Sequence, residues 1–328
     1  MPVRSGAYFP PYKAPLLLRS GHLQTVWASQ IRRVEPPPYS RERIDLPDGD
    51  FLDLDWLRAD EQARAARAVV ISHGLEGDAY RPYVRGMVRA FARRGVDALA
   101  WNYRGCSGEP NRLVQAYHSG STGDLAAVVD YALGLGYERV DLVGFSLGGN
   151  ITLRYLGEGG SELDERVGRA AAFSVPVDLA SSSRYLNRPA AAPYMRYFLG
   201  KLARKVEEKA ELFPEQVSVE GLREMRSFAE FDDRYTAPWH GFRDAEHYWA
   251  ESSALPVLRD IDRRTLLVNA ADDPLLPQSC YPVYETGMNP KVRLEIPKWG
   301  GHVGFVEFRE DGLYWSERRA LSFVLNER

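Results

Sequence analysis

The stretch VDLVGFSLGGN, Val140 to Asn150, decides the fold. It opens with a short apolar run, which suits a strand buried on both faces. It closes on residues that start a helical pattern, GGNITLRYL. A strand running straight into Ser146 and then into a helix is the setting in which a serine nucleophile stands on a sharp turn. The pentad G-x-S-x-G alone is a weak signal, because serines between glycines are common in ordinary turns. Gly144, Gly148 and Gly149 supply the small neighbours such a turn needs, so the surrounding chain has to decide the reading.

Outward from this stretch, similar apolar runs recur at AVVIS (68–72), DALAWN (97–102), RAAAFSV (169–175), TLLVNA (265–270) and VRLEIP (292–297). Upstream, RERIDL and FLDLDWL alternate apolar with polar residues around Pro47-Asp48-Gly49-Asp50 and read as a β-hairpin. Helical patterns lie between the runs. One places Tyr83, Met87, Val88 and Phe91 near one face and ends at Gly95; another opens with Ser121 or Thr122 as cap and Asp124 in the first turn. Strand alternating with helix predicts a doubly wound, mostly parallel α/β sheet with right-handed crossovers. The alternation breaks once: residues 176–264 are helical in character, as in KLARKVEEKAELF, and an insertion of that size is expected to form a lid over one end of the sheet. Residues 1–40, rich in proline and aromatics and without a sustained period, are expected to wrap over the surface of a single domain spanning 1–328.

Bulk properties narrow the function classes. The chain has 328 residues, 45% hydrophobic and 27% charged, with a formal net charge of −3, so composition gives no reason to expect a nucleic-acid partner. Short basic pairs such as Arg32-Arg33 and Arg93-Arg94 read as solvated surface. Cys106 and Cys280 form no C-x-x-C pair and are expected to be reduced thiols. The N-terminal Leu16-Leu17-Leu18 run is too short for a signal-peptide core, and no segment reaches the roughly 18 apolar residues of a membrane helix. A soluble, cytoplasmic protein is expected. Oligomeric state is not legible.

A serine hydroxyl needs a base. Of His22, His73, His118, His240, His247 and His302, the last stands in WGGHVGF, on a glycine-rich loop after the last strand. That is where the order serine, acid, histidine would place the base. The acid is expected after the penultimate strand, in NAADDPLLP; Asp273, next to Pro274, is favoured over Asp272, which would then brace the turn. Oxyanion donors are expected from the N–H of Leu147, at the helix start, and of Leu75 in HGLEGD, with Gly74 making the turn and His73 bracing the loop. No metal-ligand spacing and no dinucleotide or phosphate-loop fingerprint is present, so neither metal nor cofactor is expected. Arg104, Cys106 and Ser107 form either a tight structural turn, the favoured reading, or a pocket-shaping loop, and Cys106 is not expected to act as a nucleophile. Tyr194, Tyr197, Phe198, Trp239 and Tyr248 fit lid core better than an acyl pocket.

Several stretches together resemble the α/β-hydrolase fold, and more narrowly its YheT-like branch of predicted esterases and lipases: GHLQT (21–25), ISHGLEGD (71–78), NYRGCSGEPN (102–111), YHSGSTGDL (117–125), GFSLGGN (144–150), FDDRYTAPWHGF (231–242), ADDPLLP (271–277) and GGHVGF (300–305). The resemblance implies Ser146 as nucleophile, Asp273 as acid and His302 as base. It implies a carboxylic-ester hydrolase acting on small-molecule or lipid esters, here taken as short- to medium-chain. The alternatives are an acyltransferase passing the acyl group to an alcohol, a phospholipid lipase and, less favoured, a binding protein without turnover. Some eukaryotic members of the branch begin with a membrane anchor, which is not read in this chain.

Overall fold

The computed structural model describes residues 9–326. Eight strands form one sheet: β1 (Ser40–Asp45), β2 (Phe51–Leu57), β3 (Arg67–Ser72), β4 (Asp97–Asn102), β5 (Arg139–Phe145), β6 (Val167–Phe173), β7 (Thr265–Val268) and β8 (Val292–Glu295). The spatial order is β1-β2-β4-β3-β5-β6-β7-β8. β1 and β2 pair antiparallel, as do β2 and β4, and every later pairing is parallel. The hairpin therefore forms one edge of the sheet. The strands from β3 onward are doubly wound.

The apolar runs are continuous because both faces of the sheet are covered. Ala68 and Val70 of β3 join a core shared with the helices Thr122–Gly134 and Leu147–Gly159. The alternate residues Val69 and Ile71 point to a second core, shared with the helices Pro82–Ala92 and Trp315–Val324. Met87, Val88 and Phe91 are buried there, with Tyr83 packed at its margin. Ser121 does precede its helix, but its hydroxyl accepts the His118 N–H at 2.9 Å and caps nothing. Asp124 in the first turn is gripped by Arg104 at 2.7 and 2.9 Å.

Between β6 and β7 the chain forms helices at Leu179–Leu186, Ala192–Leu212 and Ala245–Ser252, the last two joined by a longer stretch of short helical turns that includes Phe228–Phe231 and Asp232–Thr236. This segment has apolar clusters of its own, one around Met195, Leu199 and Phe231 and one around Tyr248 and Trp249. The N-terminal segment runs over the sheet assembly: Trp315 Nε1 donates to the Pro10 carbonyl and the Tyr12 hydroxyl to that of Val306. It also contains a helix that periodicity did not reveal, Gly21–Val26, continuing as a wider turn over Trp27–Ile31.

Candidate active site

The site grows from the end of β5. Ser146 follows Phe145 with φ 53° and ψ −121°, a left-handed conformation costly for a residue with a Cβ, on the order of 1–3 kcal/mol. The helix Leu147–Gly159 starts at the next residue. Two of the glycines are demanded by close approach: a Cβ on Gly148 would lie 2.4 Å from the His73 carbonyl oxygen, and one on Gly144 would lie 2.5 Å from that of Gly148. The turn thus folds back on the end of β3 and lifts the serine hydroxyl to the carboxyl edge of the sheet.

His302 lies on the loop after β8 and Asp273 on the turn after β7. The His302 Nε2 is 2.8 Å from Ser146 Oγ, and its Nδ1 is 2.9 Å from Asp273 Oδ2. The Asp273 side chain is fully buried, and its other oxygen accepts the Leu275 N–H at 2.9 Å. A carboxylate oxygen accepts, and the Nδ1-protonated tautomer of His302 would donate to Asp273 and present Nε2 as the acceptor for the serine hydroxyl. The neighbouring Asp272 faces elsewhere: its Oδ1 accepts the Gly301 N–H at 2.9 Å, bracing the histidine loop, and burial pushes its carboxyl above the ordinary range.

The loop after β3 packs against the serine turn. A Cβ on Gly74 would sit 3.3 Å from the Ser146 Cβ and 3.3 Å from the Tyr83 hydroxyl. The flanking amides are committed: Gly74 N–H donates to Tyr83 and Glu76 N–H to Tyr117, at 3.0 and 2.8 Å. Among the described residues, the Leu75 and Leu147 N–H groups have no such acceptor. His73 is buried and in contact with Gly74 O at 2.8 Å, and its ring lies against Tyr103; burial lowers its pKa to about 3, so it stays neutral. Glu76 also links this loop to the inserted segment, with Lys201 Nζ on its carbonyl at 2.9 Å and Lys205 Nζ 3.3 Å from its carboxylate.

Two cavities meet at Ser146 and His302. One, of about 150 Å³, lies under the inserted segment and is bounded by Leu147, Leu179, Phe198, Trp239 and Tyr248 among others. The second, of about 350 Å³, is bounded by Gly74, Tyr83, Tyr194, Tyr197 and Val303. All five aromatics read above as lid core line a cavity that reaches Ser146, and four of them also pack on the segment's own apolar clusters, Tyr194, Phe198 and Trp239 on one and Tyr248 on the other. Arg104 belongs to the wall of neither cavity and ties Asp48 and Asp124 together, the arrangement of a structural turn. Burial raises the Cys106 thiol to about 11 despite Lys205 Nζ at 2.7 Å.

Sequence reasoning missed the support from the N-terminal helix. The His302 N–H donates to Thr25 Oγ1 at 2.9 Å, and the Thr25 hydroxyl donates to the Gly21 carbonyl at 2.7 Å. The Val306 N–H donates to Gln24 Oε1 at 3.1 Å. Gly21, Gln24 and Thr25 recur at helical spacing in GHLQT, which is the signal that could have placed them on one buried face. None of the other histidines is paired with the serine: the His118 and His240 rings lie tilted 4.4 Å apart, both kept neutral by burial, and His22 pairs with Tyr194. Among the described residues no cluster of three or more His, Cys, Asp or Glu side chains is arranged to hold a metal ion.

Comparison with known proteins agrees with this architecture. Residues 67–308 match the family model of the alpha/beta hydrolase fold. YheT of Escherichia coli (strain K12), by its name a candidate esterase, is 37% identical over 289 residues, 87% of this chain and 84% of that protein. A phospholipase of Mus musculus, ABHD3, is 30% identical over 87% of this chain and 70% of its own length. Among solved structures, the Pyrococcus furiosus esterase Pf2001 superposes with a TM-score of 0.58 at 18% identity, covering 88% of this chain and 90% of its own, a likeness of fold. The chain belongs to the α/β-hydrolase fold family, in the branch that holds YheT, with relatives of esterase and lipase type.

Proposed function

We propose that the protein is a serine hydrolase of carboxylic esters that works through an acyl-Ser146 intermediate. The observation that carries this reading is the unbroken chain from Ser146 Oγ through the His302 ring to Asp273, at 2.8 and 2.9 Å. His302 Nε2 takes the hydroxyl proton as Oγ attacks the ester carbonyl carbon. The Leu147 and Leu75 amides, left without acceptors, donate to the oxyanion, and the helix starting at Leu147 adds its dipole. Collapse expels the alcohol, which takes the proton from Nε2. Water then gives a proton to Nε2 and its oxygen to the acyl carbon, and the returned proton restores Ser146 as the acid leaves.

The cavity under residues 176–264 suits the acyl chain, with that segment as lid, and the cavity beside Gly74 and Tyr83 suits the leaving alcohol. The phospholipase name of one relative favours lipid esters within this class. The free thiols Cys106 and Cys280 fit a reducing, cytoplasmic setting, and no helix among the described residues is long and apolar enough to cross a membrane. The test is hydrolysis of p-nitrophenyl esters from acetyl to dodecanoyl, paired with Ser146→Ala and His302→Ala. Each variant is expected to lower kcat by a factor on the order of 10⁴–10⁶. A loss below about tenfold at either position would remove that residue from the mechanism. Adding an alcohol and partitioning product between acid and new ester separates hydrolysis from acyl transfer.

A further inference from the structure

The helix Gly21–Val26 and its continuation to Ile31 are built inside out. A surface helix normally turns its apolar stripe to the core and its polar face to water. Here the buried face carries Gly21, Gln24, Thr25 and Ala28, while Leu23, Val26 and Ile31 are 52%, 43% and 51% exposed. The preceding turn repeats the pattern: Leu18 is buried beside Ala28, but Leu16 and Leu17 are 75% and 90% exposed. Phe308, 65% exposed, packs edge-on against Trp27 of the same helix and extends the apolar surface. The inward polarity has a known use, since Gln24 and Thr25 hold the loop of His302. Among the described residues the outward leucines pack on no core of the chain, and a contiguous exposed patch of this kind marks an interaction surface.

Charge and position identify the partner. The sequence has no Asp or Glu before Glu35, against a whole-chain charge of −3, and Lys13, Arg19 and Arg33 of this segment are all exposed. Leucine, valine and isoleucine side chains projecting outward, flanked by exposed cations, form the pattern of elements that lie in a lipid–water interface. Val26 belongs both to this surface and to the wall of the cavity that reaches Ser146 and His302. We propose that Leu16–Arg33 docks on an anionic phospholipid surface, so that the mouth of the Tyr194–Tyr197 cavity opens against the lipid. The docking stands on geometry and charge alone; delivery of an ester from the lipid to Ser146 rests on the ester-hydrolase reading.

The experiment is flotation of the full chain with phosphatidylcholine vesicles containing about one-third phosphatidylglycerol, and with pure phosphatidylcholine vesicles. Binding is expected to the anionic vesicles, and raised salt should weaken it. Leu16→Ser/Leu17→Ser should weaken it by about 100-fold, from the apolar area withdrawn. Arg19→Ser should weaken it by about fivefold. Running the series on Ser146→Ala keeps docking separate from turnover, and hydrolysis of a water-soluble ester by the double leucine variant should match that of the unsubstituted protein. Absence of vesicle binding, or equal binding by the double leucine variant, overturns the proposal. So does a dimer in analytical ultracentrifugation that this variant dissociates, because a second copy would then be what covers the patch.

Discussion

Asp232 stands buried at the wall of the cavity under the inserted segment, with its oxygens on Thr236 Oγ1 at 2.6 Å and Trp249 Nε1 at 2.9 Å. Burial pushes its pKa from 3.8 up to about 7, with Asp233 adding to the rise and the two hydrogen bonds opposing it. Between those values the folded chain holds a proton that the unfolded chain has released. Stability must therefore fall as pH rises from 3.8 to about 7 and level off above, the loss amounting to about 4 kcal/mol. Asp232→Asn removes the charge while an amide oxygen can still accept from Trp249 and an amide N–H can donate to Thr236. The variant should match the parent near pH 4 and exceed it by about 8 °C in Tm near pH 8, at roughly 2 °C per kcal/mol for a chain of this size. Buried His73, His118 and His240, lowered to about 3, 3 and 4, work the other way: their stabilisation is lost as pH falls below 6.5. They are common to both proteins and cancel in the difference, so thermal melts across the range isolate Asp232. A Tm difference that is the same at pH 5 and pH 8, or a less stable variant at pH 8, refutes the reasoning.

Other expectations follow from the site. Asp273→Asn should lower kcat by about 10⁴, because the amide offers His302 the wrong partner, and Asp272→Asn should cost far less; the reverse order in steady-state kinetics would exchange their roles. Gly148→Ala places a Cβ 2.4 Å from the backbone oxygen of His73 and should cost about 3 kcal/mol in urea unfolding, a parental midpoint being the contrary result. Thr25→Val deletes the acceptor of the His302 N–H and should lower kcat about tenfold with KM kept, while Thr25→Ser restores it. Equal losses in the two Thr25 variants would mean that packing, not the hydroxyl, is what matters.

How much of this could be read from the chain depends on whether the governing contacts are local. The strands β3 to β8 were legible because burial on both faces demands continuous apolar runs, and the hairpin of β1 and β2 was legible from its apolar–polar alternation. The serine turn was legible for a similar reason: strand, glycines and helix start are neighbours in sequence. The choice between Asp272 and Asp273 was not local. Both lie in one turn, and only the loop twenty-nine residues on, with Gly301 on one carboxylate and His302 on the other, tells them apart. The helix at Gly21 was hidden because the test for amphipathicity looks for apolar residues facing inward, and here they face out. The aromatics of the inserted segment carry core-like spacing and line cavities as well, a double use that periodicity cannot show.

The site also explains where the chain tolerates strain. Besides Ser146, the residues Glu76, Ser174, Val303 and Phe305 have positive φ between 45° and 55°. Glu76 lies beside the Leu75 amide, Ser174 directly follows β6, and Val303 follows His302. The conformations of Glu76 and Val303, and the neighbouring Gly74 and His302, are held by bonds from other parts of the chain. Tyr117 takes the Glu76 N–H, and Ser174 Oγ takes the Val303 N–H at 2.8 Å. Tyr83 takes the Gly74 N–H, and Thr25 takes that of His302. Such conformations, at about 1–3 kcal/mol each, persist only where surrounding structure over-determines them. Here that structure includes a helix that precedes the first strand and a lysine-bearing helix inserted after the sixth. Removing either support should leave the sheet intact and loosen the serine–histidine geometry, so stability and turnover are expected to respond separately to substitutions at Thr25 and Lys205.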